Sequence, residues 1–267
     1  MRATANGIGI EYEIGGPPGA PVVTFSHALA THLGMWEPQT AFLAEQYRVL
    51  RYDTRGHGRS DVPAGSYTFS QLVEDVRVLL DRVGVERTHF VGISMGGMIG
   101  QWLALTYPER LLSLVLCDTS ARTPPEAREI WDERVAVAGR EGMNAHVEPS
   151  IGRWFTPAFA RKHPEAVDRV RAMIRATDPR GFIGCAAALR EHDVLDRLSE
   201  IRIPALIMVG EKDPGTPVAA AQVIHERIAG SELVVLESAS HLSNVEQAKA
   251  FNQKLLAFLS RTGMDEE

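Results

Sequence analysis

Thr88-His89-Phe90-Val91-Gly92-Ile93-Ser94-Met95-Gly96-Gly97 decides how the rest of the chain is read. Its first six residues form an apolar run of the kind buried on both faces of a sheet. From Met95 to about Thr106 the pattern becomes helical, and it stops before Pro108. A serine framed as Gly92-x-Ser94-x-Gly96 therefore stands where a strand runs directly into a helix. A turn that sharp forces a strained backbone on Ser94 and makes its hydroxyl project. Gly92 and Gly96 lack Cβ atoms, so neighbouring chain can pass close by, and the helix N-terminus brings partial positive charge toward the serine. The pentapeptide alone is weak; its strand-before, helix-after setting gives it weight.

Outward from this point the same alternation repeats. Upstream, strands are expected over 2–6, 8–14, 21–26 and 47–53, with a helix near 36–46. Phe69, Leu72, Val73, Val76, Leu79, Leu80 and Val83 recur with a 3.6-residue period; Thr68 or Ser70 can cap that helix and Gly84 ends it. Downstream, a strand runs over 111–117. Strands at 203–209 and 233–236 then alternate with helices at 186–198, 218–228 and 244–259. Between 122 and about 184 the alternation stops. That stretch holds Pro124-Pro125, Trp131, Trp154 and Phe155, and it has the length of an inserted helical lid. Residues 1–121 and 185–267 then make one core domain and 122–184 the lid. Repeated strand–helix units predict a mostly parallel sheet with helices on both faces, and ligands in such sheets bind beyond the carboxyl ends of the strands.

Composition narrows the function. The chain has 267 residues, 45% hydrophobic and 23% charged, with a formal net charge of −6. The acidity argues against nucleic acid as a partner, since phosphate binding needs clustered Lys and Arg. No 18-residue apolar run exists to span a membrane, and no apolar stretch behind Arg2 marks a secretory signal. Two cysteines, Cys117 and Cys185, are too few for a disulfide framework, so a cytoplasmic location is expected. The acidic end Asp265-Glu266-Glu267 reads as frayed.

A serine hydroxyl needs a base. In elbow-type sites the chain order is serine, acid, histidine. His146, His163, His192, His225 and His241 follow Ser94. His241 lies a few residues after the last strand and directly before a helix, the placement a general base requires. The acid belongs in another carboxyl-end loop. Asp213, after the strand ending at Val209, is the leading candidate; Asp118 is its rival and Glu211 the third. The two N–H donors of an oxyanion hole would be Met95 and a residue of the loop Ser26-His27-Ala28-Leu29-Ala30-Thr31, with Leu29 first and Ala28 second. His27 is read as fixing that loop, and Asp53-Thr54-Arg55-Gly56-His57-Gly58 as a tight loop braced by its Asp and Arg. Trp36, Trp131 and Trp154 are candidate pocket residues. Arg122 and Arg153 are the cations considered for an acidic substrate. No metal-ligand spacing or phosphate loop is present, so the expected chemistry uses no cofactor.

Together the elbow, acid and histidine resemble the α/β-hydrolase superfamily, over nearly the whole chain. Arg48–Tyr52 continuing into Asp53-Thr54-Arg55-Gly56-His57-Gly58 resembles the 3-oxoadipate enol-lactonases. So do Leu116-Cys117-Asp118-Thr119-Ser120-Ala121-Arg122, Arg153-Trp154-Phe155-Thr156 and Ser240-His241-Leu242-Ser243-Asn244-Val245-Glu246. The resemblance implies an α/β-hydrolase fold with an eight-stranded sheet. It implies a serine hydrolase that opens 3-oxoadipate enol-lactone to 3-oxoadipate through an acyl-enzyme, with Ser94, Asp213 and His241 as triad and Leu29 and Met95 as hole. The loop Ser26-His27-Ala28-Leu29 departs from the lactonases' Ser-Asn-Ser-Leu form toward that of general esterases. A broad carboxylesterase with perhydrolase side activity is the alternative, and a hydrolase-fold ligand receptor is the alternative of another class. The expected partner is a small ester or lactone, and a homo-oligomer is left open.

Overall fold

A computed structural model describes residues 1–262; the Asp265-Glu266-Glu267 end lies outside them. The strands are β1 (Arg2–Ala5), β2 (Ile8–Gly15), β3 (Val22–Ser26), β4 (Arg48–Tyr52), β5 (Thr88–Ile93), β6 (Leu111–Cys117), β7 (Ala205–Gly210) and β8 (Glu232–Leu236). They form one eight-stranded sheet in the order β1-β2-β4-β3-β5-β6-β7-β8. β1 and β2 join antiparallel at one edge, and the pairs from β4 through β8 are parallel. The expected architecture is therefore present. β5 and β7 are buried along their whole length, which explains their unbroken apolar sequence.

The helices before β6 are α1 (Glu37–Leu43), α2 (Phe69–Arg82) and α3 (Met95–Thr106). α2 follows its periodicity. Thr68 accepts the Gln71 N–H while the Gln71 side chain accepts the Thr68 N–H, a complete capping box. The helix expected over 36–46 is shorter, because a single 3₁₀ turn over Leu33–Trp36 precedes α1. Between β6 and β7 lie α4 (Arg128–Glu141), α5 (Val147–Trp154), α6 (Pro157–Lys162), α7 (Pro164–Ala176) and α8 (Pro179–Arg190). α8 begins at Pro179 behind its Asp178 cap, so the expected boundary at 184 falls inside a helix. Of the helix expected over 186–198, only the part to Arg190 is α-helical; the chain then turns and forms a 3₁₀ segment over Leu195–Glu200. α9 (Val218–Arg227) links β7 to β8. The closing helix is broken at Gln247 into α10 (Ser243–Glu246) and α11 (Ala248–Thr262).

The strand order reverses direction between β3 and β5, which are hydrogen-bonded neighbours with Ser26 opposite Gly92. The loops after these two strands therefore face one another across a switch point, the usual place for a ligand in such sheets. No helix among the described residues is long and apolar enough to cross a membrane.

Candidate active site

Ser94 leaves β5 with φ 54° and ψ −117°, a conformation that L-residues with a side chain rarely adopt. Its backbone is held on both sides. The Ser94 N–H donates to Cys117 O at 2.9 Å, and Thr119 Oγ1 donates to Ser94 O at 2.9 Å. The flanking glycines are required by contact. A Cβ on Gly92 would lie 2.1 Å from Gly96 O, and one on Gly96 would lie 2.1 Å from Ser26 O on β3. Ser94 opens on a cavity of about 360 Å³ that Asp213 and His241 also line. Ser94 Oγ has no hydrogen-bond partner among the described residues, so it is free to meet a ligand.

His241 follows β8, and its Nδ1–H donates to Asp213 Oδ2 at 2.7 Å. Asp213 follows β7, and its other oxygen accepts the N–H groups of Gly215 and Thr216 at 2.8 and 3.1 Å. The Thr216 hydroxyl donates to Oδ2 beside the histidine. Burial pushes the Asp213 carboxyl up, but the His241 charge and these hydrogen bonds outweigh it and the net direction is down. Burial works against the His241 imidazolium, yet the neighbouring carboxylate prevails and raises its pKa. The Trp154 ring stacks on the imidazole with centroids 6.3 Å apart.

The rivals are placed elsewhere. Asp118 is fully buried at the end of β6. It accepts the Gly210 N–H at 2.8 Å and the Ser243 hydroxyl, so it ties β6 to β7 and α10. Burial, then the charge of Asp213, pushes its pKa up, against the hydrogen bonds from Ser243 and Gly210. Glu211 points outward to the Ser238 N–H and Lys212. His192 accepts from Trp102 Nε1, and His225 sits against Ser231. His146 packs on Phe182, and His163 is half-buried against Phe159.

N–H accounting separates the loop candidates. The Ala28 N–H points to Met35 Sδ at 3.4 Å, that of Ala30 to His57 Nε2 at 3.0 Å, and that of Thr31 to Ala28 O at 3.2 Å. Leu29 lines the cavity, and its N–H has no acceptor among the described residues. The Met95 N–H lies in the first turn of α3, where no intrahelical acceptor exists.

Trp131 and Trp154 line the cavity. Trp36 does not, which corrects its reading as a pocket residue. It is fully buried, with its ring 4.7 Å from that of Phe25 and 6.1 Å from that of Phe251, because the 3₁₀ turn drives it into the core. Arg122 lines the cavity but is ion-paired to Asp193 at 3.0 Å. Arg153 lines it with no carboxylate partner among the described residues. Sequence reasoning missed Arg134, on α4. It lines the same cavity, lies 4.2 Å from the Trp131 ring centroid, and has a buried Nε without a hydrogen bond. Burial, then the nearby Arg153 charge, lowers its pKa to about 9. Its place in Arg128-Glu129-Ile130-Trp131-Asp132-Glu133-Arg134 reads as a solvated charged face, and only tertiary packing shows otherwise.

A sheet of this order, with a strained serine after β5 that shares a cavity with an aspartate-paired histidine, is the architecture of the alpha/beta hydrolase fold. The model of that family matches residues 21–248, and the chain belongs to it. It is 40% identical to the 3-oxoadipate enol-lactonase 2 of Acinetobacter baylyi, over 97% of this chain and 96% of that protein. It superimposes on the enol-lactonase from Burkholderia xenovorans LB400 with a TM-score of 0.94 and 38% identity, covering 97% of this chain and 100% of that one. The TM-score to a thermophilic esterase from Thermogutta terrifontis, solved with malate bound, is 0.92 at 30% identity, with 98% of each chain covered.

Proposed function

We propose that the chain is a serine hydrolase that opens a carboxylate-bearing enol-lactone, 3-oxoadipate enol-lactone being the leading substrate, through an acyl-enzyme. The observation that carries this reading is the Asp213–His241 contact at a cavity shared with Ser94. His241 Nε2 takes the Ser94 hydroxyl proton as Oγ attacks the lactone carbonyl. The oxyanion is held by the N–H groups of Leu29 and Met95. The ring C–O bond breaks, His241 returns the proton to the leaving enol, and the enol tautomerises to the ketone, which makes the opening hard to reverse. Water then attacks the acyl carbon, His241 accepts its proton, and the acid leaves as Ser94 is restored. The helices between β6 and β7 act as a lid over the core that the sheet and its flanking helices form.

Arg134 and Arg153 favour an acidic substrate over a neutral one. Two guanidiniums without a carboxylate partner among the described residues are costly at a partly buried site, and a ligand carboxylate relieves both. The relatives named as enol-lactonases, and the esterase solved with the dicarboxylate malate, support the same choice. The broad carboxylesterase reading rests on the His27-Ala28 loop form and predicts the opposite preference.

The test is a substrate panel of the enol-lactone, p-nitrophenyl acetate and a longer acyl ester, with wild type, Ser94→Ala and Arg134→Gln. Ser94→Ala should lose at least about 10⁴-fold in kcat on every substrate. Arg134→Gln should raise KM for the lactone about tenfold or more, the worth of one charge-assisted hydrogen bond, and leave the neutral ester unchanged. Full activity of Ser94→Ala would sink the site. Faster hydrolysis of the neutral ester than of the lactone would move the assignment to the carboxylesterase.

A further inference from the structure

The loop Asp53-Thr54-Arg55-Gly56-His57-Gly58 follows β4 and contributes no residue to the lining of the Ser94 cavity. It is nevertheless stitched to the loop that carries Leu29, and the stitching is reciprocal. His27, on the Leu29 loop, accepts the Thr54 N–H on Nε2 at 2.9 Å. His57, on the second loop, accepts the Ala30 N–H on Nε2 at 3.0 Å. In both rings Nδ1–H donates to a carbonyl, Ala28 O at 2.8 Å for His27 and Arg55 O at 3.2 Å for His57. That donation fixes the tautomer and leaves Nε2 as an acceptor. The rings lie 5.3 Å apart, centroid to centroid. Burial lowers the pKa of each to about 3, so both stay neutral and able to accept across the working pH range.

The consequence falls on Leu29. Ala30 has φ 62°, the left-handed region, which an alanine holds only where surrounding bonds enforce it. Two bonds act on this turn: the Thr31 N–H closes it onto Ala28 O at 3.2 Å, and the Ala30 N–H is tied to His57 Nε2 at 3.0 Å. With Ala28 held to Met35 on one side and Ala30 to His57 on the other, the Leu29 N–H between them is the one donor left over. We propose that His57 is a positioning residue: by accepting the Ala30 N–H it aims the Leu29 N–H at the carbonyl oxygen that becomes an oxyanion. This rests on the reading of Ser94, Leu29 and Met95 given above.

His57→Asn keeps a donor near Arg55 O but withdraws the acceptor from Ala30, whereas His57→Gln reaches far enough to restore one. Both are assayed with p-nitrophenyl acetate. They are also titrated with a trifluoromethyl ketone, which forms an oxyanion adduct on the serine, and with acetate as a ground-state competitor. The Asn variant should lose about ten- to a hundredfold in kcat, less than the loss of a whole hole donor, with KM and acetate inhibition within twofold. Its trifluoromethyl ketone affinity should fall in proportion to kcat, and the Gln variant should recover most of both. Wild-type kcat and ketone affinity in a folded Asn variant would overturn the proposal, as would equal loss in Asn and Gln. If the Asn variant does not fold, the Gln variant carries the test: a fall in its kcat without a parallel fall in ketone affinity overturns it. Activity surviving in Ser94→Ala would instead remove the reading beneath it.

Discussion

At the scale of single residues, the proposed mechanism turns on the charge of His241. A base must be neutral to take a proton, and the Asp213 carboxylate favours the protonated ring. The acid limb of kcat/KM should therefore lie above the ordinary histidine range, with the rate rising as pH climbs through it. Asp213→Asn removes the charge that raises the limb and frees the ring to take the wrong tautomer. The limb should move to lower pH and kcat should fall by about 10³- to 10⁴-fold. A pH–rate profile of both proteins on p-nitrophenyl acetate measures this, and an unmoved limb would show that Asp213 does not act on the imidazole. Ser94, Asp213 and His241 could be named from sequence as candidates because each sits in a loop at the carboxyl end of a strand, and the structure puts all three on one cavity. Arg134 was not, because a helix that is charged on paper shows no sign of which of its arginines a neighbouring tryptophan will draw inward.

Among elements, the junction of β5 and α3 bears the tightest constraint. The Gly96 Cα faces the Ser26 backbone on β3, and a backbone oxygen cannot swing aside as a side chain can. Gly96→Ala should push α3 away from β3, lowering stability by about 1–3 kcal/mol in urea unfolding and reducing turnover by spoiling the geometry between Ser94 and the Leu29 loop. A variant with wild-type stability and rate would mean the helix can shift freely. Elements with strong periodicity, such as α2, could be placed from sequence because one face is apolar and both ends are marked. The start of α8 could have been found too: Asp178 before Pro179 is a cap followed by a first-turn proline. The break at Gln247 had no such marker. It arises where Glu246 is drawn to the N–H groups of Thr156 and Ser240, which is a tertiary demand.

Over the whole molecule, one buried ion pair joins the loop after β4 to the helical layer. Arg55 meets Asp75 of α2 through two hydrogen bonds of 2.6 Å, and Asn6 adds a third to the same carboxylate at 2.9 Å. Removing one partner strands the other charge, so Asp75→Ala should cost about 3–5 kcal/mol of unfolding free energy. Chemical denaturation measures it, and a loss below about 1 kcal/mol would mean that water repairs the gap. The bracing of that loop by its aspartate and arginine was expected from sequence; the helix supplying the partner was not, because Asp75 is separated from Arg55 by a turn and a helical start.

β6 and β7 are hydrogen-bonded neighbours, with Leu114 opposite Ala205. The five helices between them leave the sheet and return to it at adjacent positions, so insertions or deletions there need not disturb a single strand pairing. The chamber thus has a floor fixed by the sheet and a ceiling that can be replaced. A lineage can exchange the wall that carries Trp131, Arg134 and Arg153, and with it the molecules admitted, while the machinery beneath is inherited intact.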